Sequence, residues 1–136
     1  MRKAILDTNI ILRLLIKDDE TKRRACESLI QNSLKKGLEL IILPITMLEI
    51  VWVMEKIYGL SKTQIREIVE AVLNTPELHV EMGPAFRLAI KSYEEKNIKF
   101  ADAVIGHWAL ERDIADIYTY DEKDFKKIEG LKVLRP

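Results

Sequence analysis

Residues 4–11 read AILDTNII, and the rest of the chain is legible from that stretch. A short apolar run ends on Asp7; two small polar residues then lead into a second apolar run, 10–16 (IILRLLI). Residues 3–6 are expected to form a buried strand, and Asn9 to cap the helix that follows. A carboxylate set between two buried segments is costly unless a positive partner meets it. Something elsewhere in the sequence has to supply that partner.

The 136 residues suffice for one domain with its own core, and the expected domain is 1–136 without a boundary. At 48% apolar and 32% charged residues the composition is that of an ordinary globular chain. Lysine plus arginine equals aspartate plus glutamate, 22 against 22, so no overall charge draws the chain to a polyanion or a membrane. Any nucleic acid must be met by a local basic patch. The single cysteine, Cys26, has no partner for an internal disulfide and is expected to be a small packed residue. Neither a leader-like segment nor a long apolar span is read, so the cytoplasm is the expected location and no membrane partner is expected.

Beyond the opening pair, helical spacing covers 21–36, stopped by Gly37, and the continuous apolar run 38–45 (LELIILPI) reads as a strand buried on both faces. Residues 46–59 turn helical, opening on Thr46-x-x-Glu49, the pattern of a capping box. A helix over 61–74 capped by Ser61, a strand near 78–82 and a helix over 84–97 with Pro84 in its first turn follow. The helix expected over 99–113 carries Ala101, Val104, Ile105, Trp108 and Ala109 as its apolar stripe, with Asp102 at the edge. A strand at 115–120, a short helix at 122–128 and a strand at 131–134 close the chain. Strands alternating with helices predict an α/β fold, a central parallel sheet of about four to five short strands flanked by helices. Ligands in such sheets sit at the carboxyl ends of strands.

Four acids fall at element boundaries: Asp7 after the first strand, Glu49 near the start of a helix, Asp102 early in another, Asp121 after a late strand. Held together they would repel, and one would take up a proton unless a cation intervened. All are hard oxygen donors with no His or Cys cluster beside them, which suits Mg²⁺ or Mn²⁺ rather than zinc. Each acid also has a purely structural reading. The capping box accounts for Glu49, helix starts account for Asp102 and Asp121, and a turn accounts for Asp7. His107 lacks any partner spacing and reads as a surface or satisfied core residue, and Trp52 and Trp108 as core or dimer contacts.

In order and spacing, ILDTNIIL (5–12), TMLEI (46–50), FADAVIGHWA (100–109) and TYDEKDF (119–125) resemble the PIN-domain nucleases, most closely the short VapC-like toxins of toxin–antitoxin pairs. The resemblance covers essentially the whole chain. It implies a single PIN-like domain in which Asp7, Glu49, Asp102 and Asp121 form a catalytic quartet. Asp7, Asp102 and Asp121 would hold Mg²⁺ or Mn²⁺. Thr8, Asn9 and Thr119 would support them, with Asp124 as an additional acid. It further implies endoribonuclease activity, a homodimer and a cognate antitoxin. Arg13, Lys17, Lys96 and Lys99 lie near these motifs and are the expected phosphate contacts. Two rival functions fit parts of the pattern: a phosphatase or phosphotransfer protein with Asp7 as nucleophile, and a non-catalytic module that binds RNA or protein. The first is disfavoured because DTN lacks the second Asp of a DxD signature. The second is disfavoured because pure RNA binding has no use for clustered carboxylates beside a polyanion.

Overall fold

In the computed structural model, which describes all 136 residues, the run LELII forms β2 (Leu38–Ile42), the middle strand of a three-stranded sheet ordered β1-β2-β3. β1 (Arg2–Ile5) and β3 (Leu78–Val80) flank it, both parallel, with Ile5 beside Ile41 and Ile42 beside Val80. Position in the sheet decides burial. Leu38, Leu40, Ile41 and Ile42 are buried in the middle strand, as its unbroken apolar run predicts. β1 is an edge strand and is largely exposed, against the expectation of a buried one; only Leu6, just past its end, is buried.

The chain groups into two compact units. The first comprises Met1–Gly59 and Ala71–Glu81 and holds this sheet with α1 (Thr8–Leu15), α2 (Glu20–Asn32) and α3 (Pro44–Lys56). Asp19 caps α2, accepting the Lys22 amide at 3.0 Å. Cys26 is buried there as expected. α3 turns Met47, Ile50, Val51 and Met54 inward at helical spacing. It begins at Pro44, so the capping box expected at Thr46 does not form; the Thr46 amide instead donates to the Leu43 carbonyl at 3.0 Å. Trp52 is 56% exposed, so it is not a core residue.

The second unit, Leu60–Glu70 and Met82–Pro136, holds most of α4 (Lys62–Leu73), with α5 (Gly83–Lys96), α6 (Phe100–Glu111) and α7 (Glu122–Phe125). Ser61 caps α4 as expected, and Gln64 returns the bond, accepting the Ser61 amide at 2.9 Å. β4 (Asp116–Tyr118) and β5 (Lys132–Leu134) pair in parallel as a separate two-stranded sheet. All five strands are thus parallel-paired, but they are divided three and two.

α5 and α6 pack along Phe86, Ala89, Ile90 and Tyr93 on one helix and Phe100, Ala103 and Val104 on the other. Phe100 stacks on Phe86 at 5.8 Å and meets the Tyr93 edge at 5.9 Å. The expected stripe was rotated: Ala101 and Ile105 are exposed. Gly106 marks a close approach, since a Cβ there would meet Ile128 Cδ1 and displace the end of that side chain.

His107 lies 2.7 Å from the Ser92 hydroxyl across the α5–α6 contact. Burial, then the Lys96 charge, holds its imidazole below the ordinary value of 6.5. The unfolded chain therefore binds that proton more tightly, and stability is expected to fall as pH drops through 6.5 toward the folded-state value. His107→Gln should flatten this slope in denaturation curves taken between about pH 5 and 7.5. An unaltered slope would place the acid sensitivity elsewhere.

Candidate active site

In the first unit the parallel pairing brings two helix starts to the carboxyl ends of neighbouring strands. The Leu6 amide donates to the Ile41 carbonyl at 2.9 Å, extending the β1–β2 ladder to the residue before Asp7. Asp7 then caps α1 by its backbone, its carbonyl accepting the Ile10 amide at 3.0 Å; its carboxylate makes no cap bond and is exposed. Two expectations are corrected here. Asn9 lies inside the first turn of α1 rather than at its cap, and Asp7 is not a buried charge in need of rescue. Its open carboxylate remains available to a ligand.

Thr8, the next residue, is buried, and its hydroxyl donates to Glu49 Oε2 at 3.1 Å. Forty-one residues apart in sequence, these two side chains fix one another between α1 and α3. Glu49 is therefore held by a tertiary contact rather than by a local cap. Arg13 is paired with Asp18 at 3.1 Å, and Lys17 is exposed.

The second unit gathers the later acids. Asp102 sits in the first turn of α6, half-buried. Burial raises the proton affinity of its carboxyl above the usual aspartate range; a hydrogen bond and the charge of Asp124 raise it further, Lys99 opposes this, and Asp121 adds to it. Asp124 itself is 6% exposed and accepts the Lys99 amide at 3.1 Å, with Lys127 Nζ at 3.9 Å. Asp121 is exposed and makes no side-chain cap to α7, so its capping reading does not hold. Thr119 holds the main chain at Asp121, its hydroxyl accepting the Asp121 amide at 2.9 Å. Lys96 donates to the Lys127 carbonyl at 3.3 Å, whereas the charge of exposed Lys99 is felt at Asp102.

Asp124 has a structural task that its sequence position does not announce. Lys99 opens α6 with no side-chain cap of its own, so Asp124, reaching from α7, supplies the bond that fixes the helix start three residues before Asp102. The signal lay in the Asp124–Phe125 pair, where an acid adjoins a core aromatic. Asp124→Asn keeps an acceptor for the Lys99 amide and should melt near the wild type. Asp124→Ala orphans that amide and should cost about 1–3 kcal/mol. Equal melting of the two variants would remove this role.

Asp102, Asp121 and Asp124 are all hard oxygen donors, and the crowding of negative charge at Asp102 is what a divalent cation relieves. As the side chains stand, no three His, Cys, Asp or Glu residues of the chain are grouped to hold a metal ion. The donor chemistry nonetheless fits Mg²⁺ or Mn²⁺.

Residues 4–131 match the model of the PIN domain. The chain belongs to the PIN domain family. This PIN domain is 30% identical over 132 residues to a VapC ribonuclease of Aquifex aeolicus (strain VF5), covering 97% of this chain and 96% of that protein. It is also similar to a chain in the crystal structure of VapBC2 from Rickettsia felis bound to a DNA fragment from their promoter. That likeness is at 21% identity over 99% of this chain and 98% of that one, with a TM-score of 0.40, too loose to bear on the site. No helix of the PIN domain is long and apolar enough to cross a membrane.

Proposed function

We propose that the chain is a metal-dependent endoribonuclease, the toxin of a toxin–antitoxin pair, hydrolysing RNA phosphodiester bonds with Asp7, Glu49, Asp102 and Asp121. The observation that carries this reading is the relationship to a VapC ribonuclease across nearly the full length of both chains. The acids crowded around Asp102 support it.

Asp7 and Asp102, with Asp121, are the residues that would hold Mg²⁺ or Mn²⁺. When bound, such an ion supplies Lewis-acid stabilisation of the phosphate and lowers the pKa of water. Glu49 orients the attacking water and accepts its proton, and the Thr8 hydroxyl keeps that carboxylate in one orientation. Thr119 fixes the backbone beneath Asp121. Asn9, exposed in the first turn of α1, is placed to hydrogen-bond beside Asp7. Lys99 comes first among the phosphate contacts, since its charge already reaches the acids; Lys96, Lys17 and Arg13 follow. Water as nucleophile leaves 5′-phosphate and 3′-hydroxyl ends.

On α3, Ile45 and Trp52 are 70% and 56% exposed and stand two turns apart on one face. This is an apolar surface suited to a second copy or to an antitoxin, and we place the homodimer and antitoxin contacts on such exposed helix faces. The cytoplasm, where RNA is met, is the proposed location.

The test is cleavage of a labelled RNA pool by purified protein in Mg²⁺, Mn²⁺ or EDTA, beside Asp7→Asn prepared identically. Cleavage that needs metal and vanishes in the variant is expected. Terminal 2′,3′-cyclic phosphates would overturn the water mechanism. RNA bound equally well in EDTA and never cut would make the chain a binding module instead.

A further inference from the structure

Tyr118 and Tyr120 are 67% and 73% exposed, among the most open large apolar side chains in the protein. Neither ring packs on another, and neither hydroxyl is hydrogen-bonded. Burial alternates along the segment: Asp116, Tyr118 and Tyr120 are exposed, Ile117 and Thr119 half-buried. A period of two puts both rings on the same outer face of β4 and its continuation. The backbone between them is held from both sides. The Thr119 amide donates to Leu134 at 3.0 Å, and its hydroxyl accepts the Asp121 amide at 2.9 Å. Two open aromatic faces on a fixed segment form a preorganised surface, which costs little ordering on binding.

Tyr120 directly precedes Asp121, whose charge is felt at Asp102 together with that of Lys99. Exposed Lys123 lies two residues beyond Asp121. The two rings thus adjoin, along the chain, one of the acids proposed to carry the cleavage. We propose that Tyr118 and Tyr120 form a stacking platform for unpaired bases of single-stranded RNA next to the bond that is cut. The platform rests on the ribonuclease reading and names the side chains that would meet the bases, since only splayed bases offer their faces to the rings.

The test is fluorescence-anisotropy binding of a labelled, mixed-sequence single-stranded 12-nucleotide RNA, in EDTA, to Asp102→Asn protein. The same protein carrying Tyr118→Ala with Tyr120→Ala should bind about tenfold or more weakly. Tyr118→Phe with Tyr120→Phe should stay within about twofold, because the ring faces persist. The slope of log affinity against log salt should not change, since no phosphate contact is lost. Both tyrosines are exposed, so melting curves should coincide. The platform is overturned if the alanine pair binds as tightly as its parent, if the phenylalanine pair binds as weakly as the alanine pair, or if a duplex of the same sequence depends equally on the tyrosines. Tyrosine-independent binding that weakens in Lys99→Ala would overturn the platform while leaving the ribonuclease reading in place. Absence of binding by the parent, with no cleavage by the unsubstituted protein, would overturn both.

Discussion

Asp102→Asn is expected to lower RNA cleavage by at least about a hundredfold while leaving the protein as stable as the wild type, or more so, in EDTA. The two effects have one cause. Burial, and after it Asp124 and Asp121, make the charged form of Asp102 unfavourable without a cation. Asparagine removes that charge, keeps the shape, and offers its amide to the Asp124 carboxylate. A residue retained for stability would behave in the opposite way, since losing it would lower the melting temperature and leave chemistry alone. Paired measurements of initial cleavage rate in Mn²⁺ and of thermal melting in EDTA separate the two. A marked fall in melting temperature with cleavage intact would return Asp102 to the helix-start role its place in the first turn of α6 also allows.

Much of the fold was legible because its signals were local. The run LELII has no polar side but for Glu39, and it became the central strand; Ser61 and Pro84 marked real helix starts. Elsewhere two local signals competed. Thr46-x-x-Glu49 matched a capping box, yet Pro44 two residues earlier is also a good first helical residue, and it set the start of α3. On α6 the apolar stripe was begun at Ala101, but Phe100 carries the larger apolar surface. Moving the start by one position turns the buried face about a quarter of the way round the helix. The division of five strands into three and two could not be read, because a three-residue strand carries no mark of its neighbour.

The acids show the same limit. Their positions at element boundaries were visible from type and spacing alone. Their burial was not, since β1 looks apolar enough to be central and is an edge. Asp7 is consequently open, and the buried acid is Asp124, which the family resemblance gave only as an additional acid. Long-range partners decide such matters, and the 3.1 Å bond from Thr8 to Glu49 crosses 41 residues.

That bond makes Glu49→Gln the sharper companion experiment. Glutamine retains an oxygen to accept the Thr8 hydroxyl, so α1 and α3 stay tied and melting should change little. The side chain, however, can no longer take a proton from water, and cleavage should fall by about 10²- to 10⁴-fold. Thr8→Val removes the donor and leaves the carboxylate charged but free to turn. It should cost about 1 kcal/mol or somewhat more in stability and only about tenfold in rate. The order of the two variants therefore reverses between the two measurements, Glu49→Gln being worse in cleavage and Thr8→Val worse in melting. A capping role for Glu49 cannot produce that reversal, because α3 begins at Pro44 and the Thr46 amide is already taken by Leu43. Cleavage by Glu49→Gln at the wild-type rate would show that the proton goes elsewhere, and would leave Glu49 as a structural partner of Thr8.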